Sequence, residues 1–381
     1  SVRAPRPPRN PGEFDQARWL ARQRVDRVAT VWARDRWKVV EASQGHPLTT
    51  RARAVREWLE AALAAGIEDA PAERGMLAGM VLGERTEIPA EARTAFQATG
   101  VFHVFAVSGL HVGMVTTVLV MGLQLLRLPQ RGTAVVAIPV LVLYVFATGA
   151  RPGAVRALVM ACVWLIGWAL VRPSDLLNGL GCAALVVLLW EPLQLFDGGF
   201  LLSFVVVAAL VLLTPPIEQV LLRAVTPDPL VPEELWPWWR RKSRRSVQAG
   251  VRLLAGATAA WVGLVPLMAE YFHLFTPVSV LANVVVVPVL GIIMSVGLLA
   301  ILAYPVWSVV AETFNNANYA LLQAMMAVVQ QISEWPVGHW CVRAPPFWLS
   351  AAYYAGLVAA VRWPVAWLAC RGSGRSGIPN A

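Results

Sequence analysis

The chain has 381 residues, of which 57% are hydrophobic and only 14% charged, with a mean hydropathy of +0.57. That excludes an ordinary soluble domain, whose charged share is about 25%, and points to a polytopic membrane protein. The net charge of +9 would suggest nucleic acid in a soluble chain, but here much of it is arginine in the first hundred residues and in connections, where orientation signals also lie. Cys162 and Cys182 lie inside apolar runs and Cys341 and Cys370 near run ends, with no C-x-x-C, so neither a disulfide framework nor a cysteine metal site is expected.

Residues 1–50 open with Pro5, Pro7, Pro8 and Pro11 among arginines, an extended lead-in that cannot bury a core alone. The chain starts at Ser1 with neither a methionine nor a signal-peptide pattern, which reads as a processed chain or a fragment of a longer polypeptide. From Arg51 to Ala65, Val55, Trp58, Leu59 and Leu63 share one helical face, and Gly66 supplies a stop. A second helix is predicted from Pro71 through Leu82. A third, opened by Pro89 and carrying Phe96, ends near Gly100. Residues 51–100 are thus expected as amphipathic helices lying at the membrane surface.

Apolar runs of bilayer length then predict about eight crossings, at 104–126, 132–149, 154–171, 176–190, 198–214, 251–270, 278–303 and 347–363. The expected fold is an all-α transmembrane bundle over 101–363, followed by a tail at 364–381. Asn283 and Pro288 inside the seventh run suggest a broken or re-entrant element, because proline removes a backbone hydrogen bond. Between Tyr304 and Trp340, Asn315, Asn316, Asn318, Gln323, Gln330, Gln331 and Glu334 make the chain too polar to face lipid. It is either interfacial or the lining of a cavity. The connection from Pro215 to Gly250 places Trp236, Trp238 and Trp239 before Arg240, Arg241, Lys242, Arg244 and Arg245. Such a loop anchors and orients at the cytoplasmic face, or touches a nucleic-acid backbone. With it inside, residues 1–103 fall outside, and so does the C-terminus if the seventh run crosses.

Chemistry concentrates at the mouth of the first run, where His103, Ser108, Gly109, His111 and Gly113 interrupt apolar sequence. Polar groups in hydrocarbon need a partner or a wet cavity. His103 suits a helix-end hydrogen bond, while Ser108 and His111 suit the lining of a polar pathway. Gly109 and Gly113 form a G-x-x-x-G that either packs a neighbouring helix or tolerates a break. Continuous helix would hold the two histidines about 12 Å apart, too far for one metal ion. Arg156, near the start of the third span, either snorkels to the interface or faces inward to meet phosphate. Carboxylates are nearly absent from the spans, since Asp175, Glu191, Asp197 and Glu270 all fall at or near ends. No H-E-x-x-H, G-x-S-x-G or P-loop occurs, so a conduit outranks an enzyme and no cofactor or metal is expected.

The order of these motifs resembles the ComEC family of competence proteins. Asn10-Pro11-Gly12-Glu13-Phe14-Asp15 and Trp19-Leu20-Ala21 look like the end of that family's external N-terminal domain. Leu77-Ala78-Gly79-Met80-Val81-Leu82-Gly83-Glu84-Arg85 then precedes Phe105-Ala106-Val107-Ser108-Gly109-Leu110-His111-Val112-Gly113, the family's most recognisable motif. Thr148-Gly149-Ala150-Arg151-Pro152, Val155 to Met160, Asp175 to Asn178, Glu191-Pro192, Gly199 to Phe204 and Ser279 to Asn283 follow in family order. Leu201 or Leu202 stands where the family has glutamine, which leaves a polar role there without its residue. The family's oligonucleotide-binding-like domain is mostly missing, and its metallo-β-lactamase-like domain has no counterpart here.

The resemblance implies a channel importing single-stranded DNA across the bacterial cytoplasmic membrane, set in the lipid bilayer, with His103, Ser108, Gly109, His111, Gly113, Arg156, Ser203 and Asn283 along its path. It also implies a cytosolic motor or single-strand-binding protein, and a separate nuclease for the other strand. The oligomeric state stays open. A transporter for another anionic or lipid-linked solute, and a non-conducting assembly subunit, are the alternatives.

Overall fold

The computed structural model describes residues 2–5, 17, 20, 26–29, 47–171, 175–225, 238–335, 338 and 340–372, without the side chains of 2, 29, 47–53, 238–242 and 361–372. Two units separate at residue 50. In the first, strands β1 (Val2–Arg3) and β2 (Val28–Ala29) pair antiparallel. The Asn10–Asp15 block, and Trp19 and Ala21, lie outside the described residues.

The second unit is mainly helical among the described residues. Three helices lead in: α1 (Pro47–Ala64), α2 (Pro71–Val81) and α3 (Ala90–Ala98). A 3-10 turn at Phe102–Phe105 introduces α4 (Gly109–Leu125), α5 (Gln130–Ala147), α6 (Pro152–Ala169) and α7 (Leu176–Trp190). A second 3-10 turn, Pro192–Phe196, leads to α8 (Gly198–Val225), α9 (Trp238–Tyr271), α10 (Val278–Ala303), α11 (Ser308–Ser333) and α12 (Phe347–Gly372). Strands β3 (Leu274–Phe275) and β4 (Trp340–Cys341) pair across the α9–α10 and α11–α12 connections. All eight expected spans are present as helices. Five of them, counting residues 243–271 of α9, are long and apolar enough to cross a bilayer, and α4, α7 and residues 347–360 of α12 are shorter apolar helices. The chain is an all-α, multi-pass membrane protein.

Short connections force neighbouring helices to run antiparallel. Along α8 and α9 the pairing is explicit, with Gly198 against Tyr271, Ala209 against Gly263, and Glu218 accepting a hydrogen bond from Arg252 at 3.1 Å. Ala255 and Ala259, both fully buried, continue this small-residue seam on α9. Where Pro266 denies Val262 its usual i+4 donor, the Tyr353 hydroxyl of α12 donates to the Val262 carbonyl at 2.8 Å, and Tyr354 does the same for Gly263 at 3.0 Å. A proline is thereby tolerated inside a membrane helix by a neighbour that repairs it.

Several sequence expectations are corrected. The 215–250 connection is not one long loop. α8 continues through Pro215 and Pro216 to Val225 because Ile217 packs on the Ala209–Leu213–Ala259 cluster and Glu218 is tied to Arg252. Arg240, Arg241, Lys242, Arg244 and Arg245 accordingly lie on the first turns of α9, the side chains of the first three being outside the description. With 28 and 34 residues, α8 and α9 are about 42 and 51 Å long at 1.5 Å per residue, against roughly 30 Å of hydrocarbon, so this hairpin outreaches the bilayer core. The 278–303 segment is neither broken nor re-entrant, since α10 is one helix through Pro288. Nor is 364–381 all tail, because α12 runs to Gly372; residues 373–381 lie outside the description. Finally, α2 departs from an amphipathic surface helix. Every residue from Gly75 to Val81 is buried, and Met76, Leu77, Met80 and Val81 belong to the same apolar cluster as residues of the first 3-10 turn, α10 and α11.

The polar stretch before Trp340 is α11, packed antiparallel on α10. It carries the chain back toward the β3–β4 pair before α12. Its buried face is Ala311, Asn315, Asn318, Leu322, Met325 and Val329, a 3-4 spacing that the sequence displays. Asn315 Nδ2 donates to the Ala62 and Ala65 carbonyls at 2.9 and 2.8 Å, satisfying the end of α1, where Gly66 turns left-handed with φ +81°. Both amide atoms of fully buried Asn318 lack a hydrogen-bond partner. The two asparagines should therefore respond oppositely. Asn315→Ala is expected to cost about 2 kcal/mol by orphaning buried carbonyls, whereas Asn318→Leu, which keeps the branching, is expected to be neutral or stabilising. Thermal melting of the detergent-solubilised variants checks the contrast.

Candidate functional site

The eight path candidates fall within the first two turns of α4, α6, α8 and α10 or just before them. Ser108 is the N-cap of α4, with extended backbone, and the helix begins at Gly109. Its backbone N–H donates to His111 Nδ1 at 3.3 Å, and Ser108 Oγ lies 3.1 Å from the same nitrogen. His111 Nε2 lies 3.0 Å from the Val104 carbonyl, which can only accept, so the proton sits on Nε2 and Nδ1 is the acceptor. His111 thus clamps the 3-10 turn onto the first turn of α4, doing at N3 what a glutamate does in a capping box. The side chain is fully buried. It lines no open surface, in contrast to the polar-pathway expectation. A catalytic relay would have a carboxylate where this ring meets a carbonyl.

His103 lies in the 3-10 turn and is exposed. The chain is extended at Ala106 and Ser108, so the premise of continuous helix between the two histidines does not hold. Among the described residues no group of three or more His, Cys, Asp or Glu is arranged to hold a metal ion. The glycine pair divides. A Cβ built on Gly109 would lie 3.6 Å from Ala157 Cβ of α6, whereas one on Gly113 would meet nothing within 4 Å.

Around this clamp, the turn between α2 and α3 is held by arginines. Arg151 donates to the Gly83 carbonyl at 2.6 Å, and Arg85 Nε to the Phe105 carbonyl at 3.1 Å. Gly149 and Ala150, both at positive φ, reverse the chain after α5 and deliver Arg151 to that contact. Gly83 is itself left-handed at φ +76° and sits against Val107 and Arg151. Glu84 bonds Arg56 of α1 and accepts from the Thr86 hydroxyl at 2.6 Å; these contacts hold its carboxyl below the usual range. The Tyr144 hydroxyl of α5 donates to the Val81 carbonyl at 2.9 Å.

Arg156, in the second turn of α6, does not snorkel. It is 4% exposed, and its Nε and one terminal nitrogen lie 3.4 and 3.3 Å from Ser203 Oγ of α8. Ser203 itself donates to the Gly199 carbonyl at 2.8 Å. The other terminal nitrogen lies 3.7 Å from Asp197 Oδ2 and makes no hydrogen bond. Asp197 was legible only as a residue near a span end, yet it accepts from the Phe200 N–H at 3.2 Å, capping α8. The glycines allow the approach, since a Cβ on Gly199 would lie 3.0 Å from the Arg156 guanidinium and one on Gly153 3.8 Å. Asn283, in the second turn of α10, donates back to the Ser279 carbonyl of its own helix at 2.8 Å. The structure therefore joins Ser108 with His111, and Arg156 with Ser203, as two clusters linked through Gly109 and Ala157.

Residues 80–367 match the family model described as competence protein. The chain belongs to that family. All eight path candidates, and the five basic residues of α9, lie within the matched segment. Among curated proteins, "ComE operon protein 3" of Bacillus subtilis (strain 168) is 27% identical over 278 residues, covering 73% of this chain and 32% of that protein. The chain thus spans about a third of that relative's length. No solved structure matches.

Proposed function

We propose that this chain forms the membrane-embedded part of a path by which single-stranded DNA crosses the bacterial cytoplasmic membrane during natural transformation. Membership of the competence family is the observation that carries it. The chemistry is compatible. A strand with one phosphate charge per nucleotide needs a wet, neutral-to-basic route, and a buried arginine flanked by helix N-termini, in spans almost free of carboxylates, suits such a solute. His103, Ser108, Gly109, Gly113, Arg156, Ser203 and Asn283 are assigned to the mouth of the path, and His111 holds that mouth in shape rather than lining it.

Residues 1–50 are taken as the remnant of an external domain, with residues 1–103 outside and the α8–α9 connection in the cytoplasm. The basic start of α9 would then meet cytoplasmic lipid or an emerging strand, and a cytosolic motor or single-strand-binding protein would supply the pull. Deleting the gene in a strain with no second copy should abolish uptake of labelled DNA. Normal transformation there removes the proposal and leaves a transporter of another anionic or lipid-linked solute, or a non-conducting assembly subunit.

A further inference from the structure

We infer that the Arg156–Asp197 ion pair is an exchangeable phosphodiester site, at which a backbone phosphate displaces the Asp197 carboxylate from the Arg156 guanidinium. The identity of the phosphodiester as DNA rests on the proposed function; the site itself rests on geometry. One face of the guanidinium is committed, through Ser203 Oγ at 3.3 and 3.4 Å. The remaining terminal nitrogen is buried and unbonded, with the carboxylate at 3.7 Å, a charge contact longer than a hydrogen bond. Leaving an arginine N–H buried and unsatisfied is costly, so an acceptor that comes closer than Asp197 is favoured there.

Asp197 is loosely placed for a permanent partner. Its side chain is 49% exposed, and the oxygen nearest Arg156 already accepts the Phe200 N–H at 3.2 Å. It can swing toward water while a phosphate takes its place. The surroundings favour that exchange. α6 begins at Pro152 and α8 at Gly198, and each leaves first-turn N–H groups without intrahelical partners beside this arginine. Gly153 and Gly199 carry no side chain that would fill the approach. Arginine's planar fork also matches phosphate oxygens better than an ammonium does.

A resident carboxylate changes what such a site does. An uncompensated buried arginine would trap an anion, whereas one that must exchange Asp197 holds each phosphate weakly and resets when it leaves. Conduction demands that balance between entry and release.

The experiment uses the full-length protein in lipid nanodiscs, with two probes: a fluorescent oligothymidylate and a water-soluble short-chain phosphatidylglycerol. Asp197→Asn retains the helix cap but removes the competing charge, and is expected to tighten oligothymidylate binding at least threefold. Arg156→Gln is expected to weaken it about tenfold, the worth of one charge-assisted hydrogen bond, with Arg156→Lys between them. If only the lipid shows this pattern, the phosphodiester site stands and the DNA path of the preceding section falls. If Asp197→Asn, folded and monodisperse, leaves both probes unchanged, the pair is purely structural and the inference is overturned. That variant decides the matter even where Arg156→Gln fails to fold.

Discussion

His111→Ala is expected to lower the unfolding free energy by about 3 kcal/mol and to abolish DNA uptake, while the chain still inserts in the membrane. The reason lies in what the ring leaves behind. Val104 is fully buried, and its carbonyl would lose the Nε2 donor at 3.0 Å. The Ser108 N–H would lose its acceptor at the same time. Each unsatisfied buried group costs about 1–3 kcal/mol, before the cavity is counted. Ser108→Ala should be far milder, under about 1 kcal/mol, because the residue's backbone rather than its hydroxyl supplies the donor, and loss of a cap hydroxyl alone sits near the low end of the range. His111→Gln should fall between, since glutamine at N3 restores the bond to Ser108 but not the one to Val104. Thermal melting in detergent together with labelled-DNA uptake ranks the three. Equal loss of uptake in Ser108→Ala and His111→Ala, with both melting like the parent, would return His111 to a path-lining role.

The positions of the helices were legible because hydrocarbon sets one length scale and glycine or proline punctuates it. Gly66, Pro71, Pro89, Gly149 and Pro152 each stand at a helix end or turn that the chain uses. Misreadings arose where tertiary contacts outvote local signals. Pro215 and Pro216 signal a stop, but the seam with α9 carries α8 past them. The α11 stretch reads from its polarity as interfacial or cavity-lining, whereas the spacing of Asn315 and Asn318 with Ala311 and Leu322 puts those two asparagines on a buried, packed face. The site shows the same limit. Arg156 and Ser203 could each be chosen as polar residues in costly places, yet a separation of 47 residues carries no sign that they meet. Asp197 could not be chosen at all, since a carboxylate near a span end is ordinary. Its meaning comes from Arg156 lying buried beside it.

A second large effect is expected at the α8–α9 seam. A Cβ on Gly263 would fall on Ala209 Cβ, with Ala209 Cα at 3.7 Å and the Val205 carbonyl at 4.0 Å, so even one methyl group requires the two helices to part. Overpacking of this kind costs about 1–3 kcal/mol for small additions, and membrane helices depend on such small-residue contacts because lipid supplies no hydrophobic drive between them. Gly263→Ala should therefore cost about 2 kcal/mol, and Gly263→Leu should prevent recovery of monodisperse protein. The compensating swap Ala209→Gly with Gly263→Ala moves the methyl to the facing helix and should restore most of the loss, a coupling that a double-mutant cycle measures directly. The same seam ends at Gly198, where a Cβ would lie 2.8 Å from the Tyr271 ring, one residue from Asp197. Separation of α8 from α9 would thus shift the capping carboxylate and loosen Arg156, so Gly263→Ala should also blunt the response of oligothymidylate binding to Asp197→Asn. Full rescue of melting by the swap, without rescue of that response, would show that the seam and the anion site are independent.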